Sequence, residues 1–135
     1  MHDFLRMSRA VFDRLLAEAR ANPEIECCGL LAGRDALISA VLPARNALQS
    51  STSYEIAPAE LFALFRRMRA KGLEHLGIYH SHPKGDNAPS PLDLEHAFYP
   101  DAAYLIVSPN AGASGPIRAF RIIEGRAREL SLEIV

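Results

Sequence analysis

The sequence predicts an α/β or α+β fold, with a single mixed β-sheet flanked by helices. Two observations lead to this prediction. Segments with apolar residues at helical spacing alternate with short apolar runs, and the last two runs flank a hairpin signal. A length of 135 residues suits one domain, which we place at residues 1–135, and 49% hydrophobic residues can supply its core.

Three helices are predicted from apolar residues that recur at intervals of about three or four. Ser8 is a suitable N-cap for the first helix, and Pro23 stops it. Pro58 and Pro91 suit the first turns of the second and third helices, and Gly72 suits the end of the second. The predicted helices cover residues 8–20, 58–71 and 91–98.

Short apolar runs bounded by turn residues predict the strands. Between the last two runs, Glu124-Gly125-Arg126 is typical of a hairpin turn. Segments at residues 43–53, 80–91 and 108–116 are predicted to be irregular or loops. The predicted strands cover residues 28–33, 36–42, 54–56, 73–79, 103–107, 117–123 and 127–134.

Charge, hydropathy and cysteine content exclude several classes of protein. Fifteen Lys and Arg residues balance sixteen Asp and Glu residues, so the sequence does not predict a nucleic acid partner. Apolar runs are too short to cross a membrane, and residues 1–6 do not resemble a signal peptide. The two cysteines are adjacent and cannot cross-link distant segments, which favours a cytoplasmic location.

The sequence His80-Ser81-His82-Pro83 is a candidate metal-binding motif. Residues two apart in an extended chain face the same way, so both imidazoles can bind one ion. Asp93 can supply a third ligand if the intervening loop folds back. Two histidines, a carboxylate and a water are typical of a catalytic zinc site, in which the pKa of the water falls to about 7.

The same residues also have a purely structural interpretation. His-x-His pairs occur by chance, and Ser90-Pro91-Leu92-Asp93 is an ordinary helix start with Ser90 as the N-cap. The two interpretations are compatible, because the cap would determine where the Asp93 side chain points.

A glutamate upstream completes a longer motif. Glu26 precedes Cys27-Cys28-Gly29-Leu30-Leu31; seven residues separate His82 from Ser90, and two separate Ser90 from Asp93. In this pattern the chain resembles the JAMM (MPN-plus) zinc metallopeptidases, and most of its length is covered. It is most similar to the minimal prokaryotic type that processes sulfur-carrier proteins. The resemblance implies a cytidine-deaminase-like JAMM/MPN fold.

The resemblance also implies a role for each residue of the motif. His80, His82 and Asp93 would hold one zinc ion per chain. Glu26 would take a proton from the zinc-bound water and pass it to the leaving amine. Ser90 would donate a hydrogen bond to the oxyanion or orient the ligands.

The activity implied is hydrolysis of a peptide or isopeptide bond at the C-terminal tail of a ubiquitin-like or sulfur-carrier protein. A homodimer is compatible with the resemblance. In the family, the region around residues 49–56 lies beside the substrate cleft, where an edge strand can pair with an extended peptide.

Other interpretations stay open at this stage. Glu24 replaces Glu26 as the candidate base if the strand register differs. The chain could be a catalytically silent MPN-type interaction module, although every residue of the motif is present. It also resembles DNA-repair-associated JAMM proteins around Gly85-Asp86, without their helical region or a basic charge. Cys28 as a nucleophile is disfavoured, because its apolar neighbours indicate burial.

Overall fold

A computed structural model of the chain describes residues 3–110 and 115–135. The part of the predicted 108–116 loop at residues 111–114 therefore lies outside the described residues. Among the described residues, no helix is both long enough and apolar enough to cross a lipid bilayer. In chain order the elements are β1 (Phe4–Met7), α1 (Arg9–Ala21), β2 (Cys28–Arg34), β3 (Leu37–Ala44), α2 (Pro58–Ala70), β4 (Glu74–Ser81), α3 (Pro91–Glu95), β5 (Ala103–Val107), β6 (Ile117–Ile123) and β7 (Arg126–Ile134).

All of these strands belong to one mixed sheet that closes on itself in the order β1-β3-β2-β4-β5-β6-β7. β1 pairs in parallel with both β3 and β7, and β4 pairs in parallel with β5. The remaining pairs are antiparallel. The predicted α+β class and mixed sheet are confirmed, and the closure through β1 is an additional feature.

The central strands are buried on both faces, because α1 covers one face and α2 covers the other. Consecutive side chains of a strand point to opposite faces, so neighbouring residues enter different cores. On one face, Leu31 of β2 shares a core with Leu15 of α1. On the other face, Leu30 of β2 shares a second core with Met68 of α2. A fully buried side chain of this size contributes about 1.5–3 kcal/mol, so packing of both helices stabilises the central strands.

Residues 54–56 are irregular, so the predicted strand there is wrong. The Asn46 side chain, instead of a neighbouring strand, pairs with the backbone of this segment. Glu55 N donates to Asn46 Oδ1 at 3.2 Å. Ala47 N also donates to Glu55 O at 2.8 Å, which closes the segment into a loop. The edge strand expected beside the cleft is therefore absent from residues 54–56.

Most other boundaries shift by one or two residues, and two of these differences bear on the candidate site. The third helix ends at Glu95 instead of residue 98, and Tyr99 N donates to the Tyr104 hydroxyl at 3.0 Å beyond it. β4 continues to Ser81 because β2 and β5 flank it on both sides, so His80 lies in a strand instead of a loop.

Candidate metal centre

Three side chains at the end of β4 and the start of α3 each present one ligand atom to a common point. His80 Nε2 lies 3.1 Å from Asp93 Oδ1, and His82 Nε2 lies 3.0 Å from Asp93 Oδ2. The two imidazole Nε2 atoms are 3.2 Å apart. All the ligand atoms lie within 4.8 Å of one another, which is compact enough for one metal ion.

The strand geometry explains why the two histidines face the same way. His80 lies within β4, opposite Cys28 of β2 and beside Ile106 of β5. The extended backbone continues past the end of β4, since His82 N donates to Val107 O at 2.9 Å. Alternation along this extended segment places both imidazoles on one side.

The loop after His82 folds back, and hydrogen bonds to Pro83 O and Asp86 O hold its first residues in place. His82 Nδ1 lies 2.7 Å from Asp86 O, a hydrogen bond that fixes the imidazole and directs Nε2 towards Asp93. Asn110 Nδ2 donates to Pro83 O at 3.0 Å, which attaches the loop to the segment after β5. These contacts bring the start of α3 back to the histidines.

A capping box at the start of α3 orients the carboxylate. Ser90 Oγ accepts a hydrogen bond from Asp93 N at 3.1 Å, and Ser90 N donates to Asp93 Oδ2 at 2.9 Å. The structural interpretation of this segment is therefore correct, and it coexists with the clustering of the ligand atoms. Because Ser90 Oγ accepts from the amide, its hydroxyl hydrogen remains available to another acceptor.

The electrostatics of the cluster favour an ionised Asp93 and a neutral His80, and they differ at His82. Burial opposes ionisation of Asp93, but hydrogen bonds from His80 and His82 hold the pKa of its carboxyl well below the usual range. Burial lowers the pKa of His80, which keeps that imidazole neutral. Burial also opposes the charge on His82, but its hydrogen bonds to Asp93 and Asp86 raise its pKa overall. Two imidazole nitrogens and a carboxylate oxygen are a typical donor set for zinc.

Glu26 lies beside this cluster because of the register of β2 and β4. Cys28 pairs with His80, and the antiparallel contact continues one step further, where Ser81 N donates to Cys27 O at 3.0 Å. A further step in the same register places Glu26 next to His82. Glu24, the alternative base, has an exposed side chain.

The Glu26 carboxyl is buried and incompletely satisfied. Its residue is 2% exposed, and Oε1 has no hydrogen-bond partner among the described residues. Burial raises the pKa of Glu26 to about 8, with a smaller opposing effect from His82. Buried polar atoms are ordinarily paired, so this oxygen indicates that a water or ligand belongs beside it.

Asn46 is a functional candidate that the sequence analysis missed. Its side chain is buried, and Nδ2 donates to Glu26 O and to Ser53 O, each at 3.0 Å. Oδ1 accepts from Leu48 N at 3.0 Å and from Glu55 N at 3.2 Å. The contact with Leu48 N, two residues on, is an Asx turn, and Asn in the polar loop was the available signal.

An apolar pocket of about 370 Å³ adjoins the cluster through Tyr54. The Tyr54 ring stacks on the His80 ring, with a centroid separation of 4.6 Å and an interplanar angle of 21°. Leu48 and Phe98, which line the pocket, are largely exposed to solvent. The other lining residues are Leu30, Glu55, Ile56, Leu61, Ile78, His96, Tyr99 and Tyr104.

The two cysteine thiols are not suited to act as nucleophiles. Burial raises the pKa of the Cys27 and Cys28 thiols to about 12, so both remain protonated at neutral pH. A protonated, buried thiol is a poor nucleophile, which removes the Cys28 alternative.

The closed mixed sheet defines a JAB/MPN-type domain, and the His-His-Asp group between the end of β4 and the start of α3 is consistent with a JAMM metal site. The chain belongs to the family described as prokaryotic homologues of the JAB domain, whose model matches residues 8–123. The predicted JAMM membership is confirmed.

Two curated relatives are similar over most of their length. A desampylase of Haloferax volcanii is 36% identical over 129 residues, covering 90% of each chain. A CysO-cysteine peptidase of Mycobacterium tuberculosis is 32% identical over 123 residues, covering 90% of this chain and 84% of the relative. Both relatives are thus named for cleavage activities.

Solved structures agree with the fold. A solution structure of a protein from Desulfitobacterium hafniense matches with a TM-score of 0.85 and 31% identity, covering 98% of this chain and 93% of that one. A JAB1/MPN domain protein from Archaeoglobus fulgidus matches with a TM-score of 0.65 and 18% identity, covering 97% and 96%. The second likeness supports the fold alone.

Proposed function

We propose that this chain is a zinc-dependent peptidase that hydrolyses a peptide or isopeptide bond at the C-terminal tail of a ubiquitin-like or sulfur-carrier protein. The observation that carries the proposal is the cluster of His80, His82 and Asp93 ligand atoms within 4.8 Å, with the buried Glu26 beside it. The named activities of the desampylase and CysO-cysteine peptidase relatives support the substrate class.

His80, His82 and Asp93 would hold the zinc ion. Oε1 of Glu26, which has no hydrogen-bond partner in the described part of the chain, the neutral imidazole of His80 and the Asp93 carboxylate all fit such a group. Bound zinc would act as a Lewis acid and lower the pKa of a water to about 7. Asp86 O and the capping box around Ser90 keep the ligand side chains oriented before any ion binds.

Glu26 would act as the general base and then as the general acid. Its carboxylate would take a proton from the attacking water at Oε1 and deliver it to the leaving amine nitrogen. Glu26 is buried beside His82, so the same carboxyl is placed for both proton transfers.

Ser90→Ala is expected to reduce kcat by about 10²–10³-fold while zinc stays bound, because the hydroxyl hydrogen that could stabilise the oxyanion is removed. Steady-state kinetics with parallel zinc analysis would check this result. Ser90→Thr keeps the hydroxyl and the cap and is expected to restore most of the activity. If Ser90→Ala loses zinc instead of kcat, the residue serves only to orient Asp93.

The apolar pocket next to His80 would hold an apolar side chain of the substrate tail. Phe98→Ala removes an exposed pocket wall and is expected to raise KM by about tenfold with little change in kcat, since the lost contact is made equally in ground and transition states. Phe62→Ala is the matched control, because Phe62 is also exposed but does not line the pocket. Equal KM values for both variants would contradict the assignment.

Hydrolysis of defined substrates tests the proposed function. One substrate is a sulfur-carrier protein extended by one C-terminal residue, and the other is a ubiquitin-like protein joined to a lysine amine. Intact mass spectrometry should show release of the added group by the zinc-loaded wild type. A folded, zinc-loaded protein that cleaves neither substrate would favour the catalytically silent module.

The same proposal includes the setting of the enzyme. We place the activity in a single domain at residues 1–135, in the cytoplasm, with one zinc ion per chain. The homodimer stays a prediction, which sedimentation analysis can test.

A further inference from the structure

The two histidines of the metal centre are held in different ways. His82 Nδ1 lies 2.7 Å from Asp86 O, so a backbone carbonyl fixes its ring. His80 is 1% exposed, and its Nδ1 has no hydrogen-bond partner among the described residues. Metal-binding histidines almost always donate their second ring N–H to a fixed acceptor. The His80 ring therefore needs another means of orientation.

Tyr54 contacts the His80 ring by stacking, which can restrict its orientation. Its ring lies nearly parallel to the His80 imidazole, at 21°, with the centroids 4.6 Å apart. A flat surface at this distance restricts rotation of the imidazole about the bond that joins the ring to Cβ, because a turned ring would collide with it. Rotation about that bond is what would carry Nε2 away from Asp93.

Tyr54 is itself held on both sides along the chain. Asn46 Nδ2 donates to Ser53 O at 3.0 Å, and Asn46 Oδ1 accepts from Glu55 N at 3.2 Å. One buried side chain thus binds the backbone immediately before and immediately after the tyrosine. The ring is therefore positioned although residues 54–56 belong to no strand.

We propose that Tyr54 is a positioning residue that fixes the plane of the His80 ring by stacking, in place of a hydrogen bond to Nδ1. The aromatic face, and not the hydroxyl, determines how well His80 is arranged to bind a metal ion. This inference rests on the proposed zinc site. It concerns metal affinity and not the chemical step.

The test compares zinc affinity, measured by competition with a chromophoric chelator, among matched variants of the full chain. Tyr54→Leu is expected to weaken zinc binding by about 10–100-fold, the range for loss of an outer-shell partner, whereas Tyr54→Phe stays within about threefold of the wild type. Tyr99→Leu is the control, because Tyr99 lines the same pocket and its ring contacts Phe65 and His75. It should bind zinc as the wild type does.

Several results would overturn the inference. Unchanged affinity in Tyr54→Leu, or equal losses in the Tyr54→Phe and Tyr54→Leu variants, would show that ring stacking does not position His80. If the Tyr54→Leu variant does not fold, NMR of the metal-free wild type decides. The His80 ring protons should be shifted upfield relative to those of His82, and equal shifts would exclude the stack. A wild type that binds no zinc would instead refute the proposed function itself.

Discussion

Replacement of Glu26 by glutamine is expected to reduce kcat by at least about 10³-fold and to leave zinc binding intact, because the amide has the same shape but cannot accept the proton. Kinetics on the zinc-loaded protein, with zinc measured in the same samples, would check this. Glu24→Gln is the matched control, since Glu24 is exposed. Normal turnover by Glu26→Gln, or loss of turnover by Glu24→Gln, would contradict the assignment of the base.

The same variant has a second expected effect, on the stability of the metal-free protein. Burial raises the pKa of Glu26 to about 8 from an ordinary value of 4.5, so the folded state favours the neutral carboxyl. Ionisation therefore destabilises the wild type progressively as pH rises from about 4.5 to about 8. Glutamine is neutral throughout this range.

Metal-free Glu26→Gln should consequently be more stable than the wild type at pH 8, by about 3–5 kcal/mol, with little difference near pH 4.5. Urea unfolding at both pH values measures this difference. A gain in the free energy of unfolding that does not depend on pH, or an equal gain in Glu24→Gln, would contradict the claim that burial disfavours the ionised Glu26.

His82→Ala is expected to lose both zinc and hydrolytic activity. The imidazole supplies one ligand atom and also lies 3.0 Å from Asp93 Oδ2, so its removal leaves His80 and a less constrained carboxylate. Loss of a direct ligand should lower zinc affinity by more than the roughly 10–100-fold typical for loss of an outer-shell partner. His96→Ala, which removes an exposed imidazole outside the cluster, should retain zinc.

Hydrolysis by His82→Ala at the wild-type rate would contradict the proposed centre. Zinc titration of both variants, followed by activity at saturating zinc, separates weak binding from loss of the chemical step. Recovery of activity by His82→Ala at high zinc concentration would show that His82 contributes only to zinc affinity and not to the chemical step.

Much of the fold and of the candidate site was predictable because the relevant signals are local. Ser8 and Pro58 begin α1 and α2 nearly where the capping and proline rules place them. Gly72, with φ of +66°, lies just beyond the end of α2, as a helix-terminating glycine should. The spacing of His80, His82 and Asp93 was likewise readable, since a strand and a capped helix start orient them.

The features that were missed depend on contacts between distant segments. β1 has only four residues, too few for a period-two pattern to be recognised. Its partners β3 and β7 lie far along the chain, so no local signal indicates the pairing. The edge expected at residues 54–56 is replaced by a loop that the buried Asn46 organises. The position of Tyr54 over His80 follows from that loop, and no periodicity or spacing in the sequence indicates it.

Zinc content tests the central claim most directly. Elemental analysis of the wild type, purified without chelators and without a histidine tag, should find about one zinc ion per chain. Less than about a tenth of that content, even after the folded protein is incubated with zinc, would contradict the claim that His80, His82 and Asp93 form a metal centre.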